Sequence, residues 1–108
     1  MLSTTSSGKR VYVKLHETTM GILIAACDEE LIGRVLEEPE KNLRVYITPS
    51  FYMGELKTAR ELLELLKSAD MANIVGEEAV KVALTSGLVH PNAVLRVGGV
   101  PIAYFTRI

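Results

Sequence analysis

Hydrophobic and polar positions alternate in several short stretches of the chain, and each stretch predicts a β-strand with one exposed face. In residues 10–16, apolar Val11, Val13 and Leu15 alternate with Tyr12, Lys14 and His16. Residues 22–27 are continuously apolar, which predicts a buried strand that pairs with the first as an antiparallel hairpin. Residues 43–48 alternate again, with Arg44 and Tyr46 on the polar side.

Two helices are predicted in the second half of the chain, where apolar residues recur every three or four positions. The first begins at a capping box formed by Thr58 and Glu61. The second spans residues 71–84, is apolar over most of its circumference and ends before Gly87, a residue suited to a left-handed stop. Gly76 within it predicts a kink, a restart of the helix or a close approach to a strand.

A shorter helix is predicted to begin at Asp28, as its N-cap, and to end at Pro39. Two final strands flank the two-residue turn Gly98-Gly99, and the second starts at an edge because Pro101 has no N–H for a ladder. The predicted order is β-β-α-β-α-α-β-β. It describes a single compact α+β domain at 9–108, with about five mainly antiparallel strands and the helix pair packed on one face. Residues 1–8 are predicted to be a flexible N-terminal extension.

Composition adds few constraints on function. The chain has 108 residues, 48% of them hydrophobic, which suffices for one domain with a real core. The formal net charge of −1 gives no overall sign of nucleic-acid or membrane binding. The single cysteine, Cys27, excludes an internal disulfide and fits a reducing compartment, and no apolar run approaches the ~20 residues of a membrane helix. We therefore expect a cytoplasmic protein without a membrane partner.

The polar face of the predicted sheet is the first candidate site. Five side chains would share this face if the strand parity is right: Tyr12, Lys14, Arg44, Tyr46 and Arg96. Basic side chains between aromatic rings suit single-stranded nucleic acid, since bases stack on rings and cations meet phosphates. An ordinary solvated sheet face, or a face buried against a second subunit, remains the alternative interpretation.

Catalytic and metal sites have weaker support in the sequence. A thiol at a helix start, such as Cys27, can become a nucleophile, but the acidic residues beside it oppose a thiolate, and a buried structural cysteine is the simpler interpretation. Glu29, Glu30, Glu37 and Glu38 are interpreted as a solvated acidic face. His16 and His90 do not indicate a structural zinc site within one chain, because such a site needs four ligands and Cys27 is the only further thiol or imidazole. We assign no catalytic residue, no metal and no cofactor.

Four segments in this order resemble a small archaeal family catalogued as domain of unknown function 424. They are AACDEELIGRVL, FYMGEL, ANIVGEEAVKVAL followed by GLV, and VLRVGGVPIAYF, and the resemblance covers residues 11–108. The resemblance implies an RNA-binding or translation-associated role, but it supplies no reaction, cofactor or catalytic residue. The family pattern often has a histidine after GVP, where this chain has Ile102.

The hypothesis from the sequence is a non-catalytic RNA-binding or translation-associated module that uses the basic and aromatic sheet face. Its expected partners are RNA or ribosome-associated factors. The alternative is a protein-interaction module or homodimer that uses the same face or the loop at residues 51–55, where Phe51, Tyr52 and Met53 predict an exposed apolar patch. A small enzyme that uses Cys27 or a carboxylate ranks last.

Overall fold

A mixed six-stranded sheet organises the chain in the computed structural model, which describes residues 9–107. The strands are β1 (Val11–Thr18), β2 (Gly21–Asp28), β3 (Val35–Glu38), β4 (Leu43–Tyr46), β5 (Glu55–Lys57), β6 (Met71–Val75), β7 (Leu95–Val97) and β8 (Val100–Thr106). The helices are α1 (Pro49–Tyr52), α2 (Ala59–Lys67) and α3 (Glu77–Thr85), with 3-10 turns at Glu29–Leu31, Pro39–Lys41 and Pro91–Ala93. The extension predicted at residues 1–8 lies outside the described residues.

The sheet has the strand order β5-β1-β2-β6-β8-β7, and β3 and β4 form a separate two-stranded hairpin. Among the strands of residues 9–107, β2 and β6 are the one parallel pair, and the other pairs are antiparallel. The predicted α+β class is confirmed, as are the first hairpin and the Gly98-Gly99 hairpin between β7 and β8. The strand count is higher than predicted.

Both helix signals read from the sequence are present in the structure. The Thr58 hydroxyl accepts from the Glu61 N–H at 3.2 Å, and the Glu61 carboxylate accepts from the Thr58 N–H at 2.9 Å, which completes the capping box of α2. Gly87 follows α3 with φ +79°, and the Leu88 N–H donates to the Ala83 carbonyl at 3.0 Å. These ends position the helix pair on one face of the sheet, as predicted.

The helix predicted over residues 71–84 is wrong in its first half, because Met71–Val75 is strand β6. This strand is central and all of its residues except Asn73 are buried, so its sequence is a nearly continuous apolar run. Periodicity alone does not separate such a run from a buried helix. Gly76, at φ +110°, ends the strand, and α3 begins at the next residue.

The helix predicted after Asp28 is also wrong, because one 3-10 turn leads there into β3. Asp28 instead caps α3: its carboxylate accepts from the N–H groups of Glu78 at 3.0 Å and Ala79 at 2.9 Å. The parallel pairing makes this possible, since it places the end of β2 beside the end of β6. Burial raises the pKa of the Asp28 carboxyl, although these two hydrogen bonds act to lower it.

Two further local predictions need correction. The segment read as a loop at residues 51–56 contributes the end of α1 and most of β5, which pairs with the first half of β1. Pro101 does not start an edge strand, because β8 lies between β6 and β7. The missing N–H is tolerated there, and the Pro101 carbonyl accepts from the Gly76 N–H at 2.9 Å.

The sheet separates two hydrophobic cores. The first lies under α2 and α3 and includes Val13, Ile24, Ile74, Leu62 and Leu66. The second lies on the opposite face under residues 29–54 and contains Ala25, Cys27, Leu31, Leu36, Ile47, Tyr52, Val75 and Val97. The covering segment packs over the half of this face that contains Cys27, and side chains toward the other end are more exposed.

We predict that Gly76→Ala destabilises the fold more than Gly87→Ala does. Both glycines have positive φ, so an alanine at either position strains the backbone, and Gly76, with φ 110° and ψ 158°, lies in a region that is essentially restricted to glycine. A Cβ at Gly76 would also lie 2.3 Å from the Asp28 carboxyl carbon, whereas no atom lies within 4 Å of a Cβ at Gly87. Urea denaturation measures the two free energies of unfolding, and equal losses would contradict the contact between Asp28 and Gly76.

Candidate nucleic-acid interface

The five residues predicted to form one surface lie in three separate places. Tyr12 and Lys14 are on β1, Arg44 and Tyr46 are on the β3–β4 hairpin, and Arg96 is on the edge strand β7. The prediction that they share one sheet face is wrong, because the strand at residues 43–46 does not join the six-stranded sheet. Parity along one strand is readable from sequence, but the sheet that a strand joins depends on tertiary pairing.

The two arginines of this set are engaged in local contacts. Arg44 Nε lies 3.7 Å from a Glu37 carboxylate oxygen of the neighbouring strand. Arg96 Nη1 lies 3.0 Å from a Glu77 oxygen of α3 and donates to the Gly99 carbonyl at 2.9 Å. The Arg96 guanidinium therefore links the β7–β8 hairpin to the helix-bearing face, away from the polar sheet face.

One row of side chains crosses four strands on the less covered half of the sheet. In register, the row consists of Lys14 on β1, Ala25 on β2, Asn73 on β6 and Tyr104 on β8. The Tyr104 side chain is 52% exposed, and Asn73 is half-buried. Directly opposite residues of an antiparallel pair have Cβ atoms roughly 5 Å apart, so the Asn73 amide adjoins the Tyr104 ring.

The next row crosses the same strands and borders the segment around α1. It consists of His16, Leu23, Met71 and Thr106. The His16 ring stacks on Phe51, with ring centroids 4.7 Å apart and an interplanar angle of 19°. His16 Nε2 lies 2.8 Å from the Phe51 carbonyl oxygen, which only accepts, so Nε2 carries the proton.

We define the open half of the sheet face as these two rows. Ala25 and Met71 within them are buried, and the exposed positions, Tyr104 and Thr106, lie on β8. Lys14 and His16 lie beside α1 at the other end of the rows.

The open half of the sheet face has a cation at one end and an aromatic ring at the other. Lys14 Nζ donates to the Ser50 carbonyl at 2.7 Å and, as an ammonium, has two further N–H donors. Adjacent strands lie about 4.8 Å apart, so Lys14 and Tyr104 are separated by about 14 Å across the sheet. The two rows contain no carboxylate. The strip therefore combines an exposed aromatic ring, an amide and a cation, with no carboxylate among its residues.

Tyr104 and Asn73 were not predicted from the sequence as members of the candidate site. The signal for Tyr104 was the alternation along Val100–Thr106, in which Ile102, Tyr104 and Thr106 share one face. The signal for Asn73 was a single polar residue inside the apolar run Met71–Val75. The helical interpretation of this run placed Asn73 on a solvated stripe and concealed its position in a central strand.

Cys27 is unsuited to nucleophilic chemistry. Its side chain is fully buried, and its Sγ–H donates to the Asp28 carbonyl at 3.2 Å. Burial raises the pKa of the Cys27 thiol to about 12, and the negative charges of Asp28 and Glu30 act in the same direction. The group is therefore a neutral thiol within the second core.

The remaining candidate groups have local structural roles or face solvent. Glu29 and Glu30 are exposed, and His90 Nδ1 accepts from the Asn92 N–H at 3.0 Å at the start of a 3-10 turn. Across residues 9–107, no three His, Cys, Asp or Glu residues are grouped so that they could hold a metal ion. None of the helices in this part of the chain is long and apolar enough to cross a membrane.

The loop at residues 51–55 exposes less apolar surface than the sequence predicted. Tyr52 is buried in the second core, and Phe51 is half-buried between His16 and Tyr52. Only Met53, 48% exposed, presents a large apolar side chain among the three predicted patch residues. The patch is thus reduced to one exposed side chain.

We predict that Cys27 does not react with a thiol reagent in the folded protein at pH 8. With a pKa of about 12, on the order of one thiol in ten thousand is ionised at that pH, and the thiolate is the reactive form. Labelling with 5,5′-dithiobis(2-nitrobenzoate) is expected to be complete only in denaturant. Rapid labelling of the native protein at the rate of a free thiol would contradict the buried environment.

Comparison with known proteins identifies relatives over most of the chain. The model of the family described as Protein of unknown function (DUF424) matches residues 16–108. The crystal structure of an uncharacterized conserved protein from Methanopyrus kandleri is similar, with a TM-score of 0.72 and 28% identity over 89% of this chain and 90% of that one. A Histone transcription regulator 3 homolog from Yarrowia lipolytica is 33% identical over 76 residues, 65% of this chain. The chain spans 4% of that protein's length.

Proposed function

The chain belongs to the family described as Protein of unknown function (DUF424), and for this member we propose a non-catalytic role in which it binds single-stranded RNA on the open half of its sheet face. One observation carries the proposal: Lys14, Asn73 and Tyr104 lie in a single row across the sheet. The proposal retains Lys14 from the surface predicted by sequence. It replaces the hairpin and edge residues with Tyr104 and Asn73.

Tyr104 provides the stacking surface in this proposal. Its ring is half exposed on a sheet face, the arrangement in which aromatic side chains stack unpaired bases. Stacking is tolerant of sequence because every base has a π-face. Lys14, about 14 Å away across three strand spacings, uses its free N–H groups for a phosphate of the same strand.

The low density of positive charge favours a single strand over a duplex as the ligand. Non-specific duplex binding relies on many phosphate contacts. The open half of the sheet face has a single lysine or arginine side chain, Lys14. The proposal includes translation-associated RNA and ribosome-associated factors as partners, and a cytosolic location that the single thiol fits. Comparison of labelled tRNA with an unstructured RNA oligomer distinguishes structured RNA from single-stranded RNA as the ligand.

A protein interface or homodimer on the same face is the alternative, and exposed Tyr104 and Met53 are the observation that favours it. Apolar association depends weakly on salt, whereas phosphate contacts release counterions and weaken as salt rises. Sizing of the protein across concentration and salt separates the two. Self-association that buries Tyr104 and competes with RNA would favour the alternative.

We predict that Tyr104→Ala weakens binding of labelled oligouridine about tenfold, since one base–aromatic stack contributes about 1–3 kcal/mol. Tyr46→Ala is the matched control, because Tyr46 is 57% exposed but lies on the separate hairpin. Fluorescence anisotropy at low salt measures both affinities, and the control is expected to bind as the wild type does. Equal losses in the two variants, or no saturable binding by the wild type, would contradict the proposed surface.

We also predict that Lys14→Gln makes the affinity less dependent on salt. One lost phosphate contact reduces the slope of log K against log salt by about 0.7 for a single strand. Glutamine removes the charge but remains a hydrogen-bond donor, and the Lys14 contact with the Ser50 carbonyl is exposed. Arg44→Gln, which removes a cation from the hairpin, serves as the control and is expected to leave the slope unchanged. If the slope of log K against log salt changed in Arg44→Gln and not in Lys14→Gln, the proposed contact of Lys14 with a phosphate would be contradicted.

A further inference from the structure

Asn73 is an unusual residue for its position. It is the one polar member of β6, a central strand whose other residues are Met71, Ala72, Ile74 and Val75. Asparagine is depleted in strands because it packs poorly on a pleated, half-buried surface. The fold itself therefore favours an apolar or β-branched side chain here.

The Asn73 amide has no structural task within residues 9–107. Its side chain is half-buried, yet it makes no hydrogen bond to another described residue. Two aspartates at the ends of the β2–β6 pair behave differently, since Asp70 accepts from the Ile22 N–H at 2.8 Å and Asp28 accepts from two N–H groups of α3. A residue that is disfavoured in its secondary structure and makes no hydrogen bond that stabilises the fold points to a functional role.

The register places this amide where the edge of a stacked base would lie. Asn73 is directly opposite Tyr104 on β8, and on its other side it neighbours Ala25, which is buried in the second core. A base that stacks on the Tyr104 ring with its Watson–Crick edge toward β6 would meet the Asn73 amide. The asparagine amide offers a donor and an acceptor side by side, which complements the adjoining donor and acceptor of a Watson–Crick edge.

We infer that Asn73 determines specificity in the RNA site, by hydrogen bonding the Watson–Crick edge of the base that stacks on Tyr104. This inference rests on the proposed function, and it specifies the ligand as an unpaired base. A base-paired nucleotide is rejected because its Watson–Crick edge is already occupied. The wild-type protein is therefore expected to bind a base with a free Watson–Crick edge more tightly than a base whose Watson–Crick edge is blocked, even when the two stack equally well on Tyr104.

Two modified oligouridines test the inference. A 3-methyluridine oligomer loses the N3–H donor of the Watson–Crick edge, whereas a 5-methyluridine oligomer carries its methyl group on the other side of the ring. Both rings still stack. Wild-type protein is expected to bind the 3-methyl oligomer about tenfold more weakly than the 5-methyl oligomer, the scale of one bidentate contact. Asn73→Val is expected to bind both with equal affinity.

The outcomes separate this inference from the proposed function. Equal wild-type affinities for the two oligomers would overturn the role of Asn73 while leaving stacking on Tyr104 in place. Retained discrimination in Asn73→Val would also overturn it. Failure of the wild type to bind either oligomer would instead overturn the proposed function. Because valine suits a central strand, Asn73→Val is expected to fold, and Asn73→Thr provides a second variant for the same comparison.

Discussion

Strands β2 and β6 run in parallel at the centre of the sheet, and an aspartate closes each end of this pair beside a glycine. At one end the Asp70 carboxylate accepts from the Ile22 N–H, and Gly21 leaves room for it. At the other end Asp28 bonds the first turn of α3, and a side chain at Gly76 would collide with it. The pairing therefore determines where the strand ends, where α3 begins and which face the helices cover.

Two parallel strands need a crossover connection, and the elements within this connection determine which part of the sheet remains exposed. The chain between β2 and β6 contains the β3–β4 hairpin, α1, β5 and α2. Its first part, residues 29–54, packs over the half of one face that contains Cys27 and Val75, while α2 packs on the opposite face with α3. The rows of Lys14 and His16 lie at the border of the covered region. The open half of the sheet face is thus a consequence of how far the crossover extends.

Two features of this surface are unexplained by folding alone. Tyr104 exposes half of its side chain on a sheet face, and Asn73 lies in a central strand without a hydrogen-bond partner in the described part of the chain. Together with Lys14 they form a strip with an aromatic ring, an amide and a cation, and rings and cations are the groups that proteins use to bind single-stranded nucleic acid. The engaged arginines, Arg44 and Arg96, instead stabilise local contacts away from this strip.

Local signals in the sequence determined the elements whose contacts are close along the chain. The β1–β2 hairpin, the capping box at Thr58, the stop at Gly87 and the Gly98-Gly99 turn follow from alternation, capping and turn chemistry within a few residues. Tertiary structure alone decided that Met71–Val75 is a strand, because an apolar run buried on both faces has no distinguishing period. It also decided the partner of Asp28, about fifty residues away along the chain. The candidate site also depends on tertiary structure, since pairing between strands that are distant in sequence determines which side chains share a face.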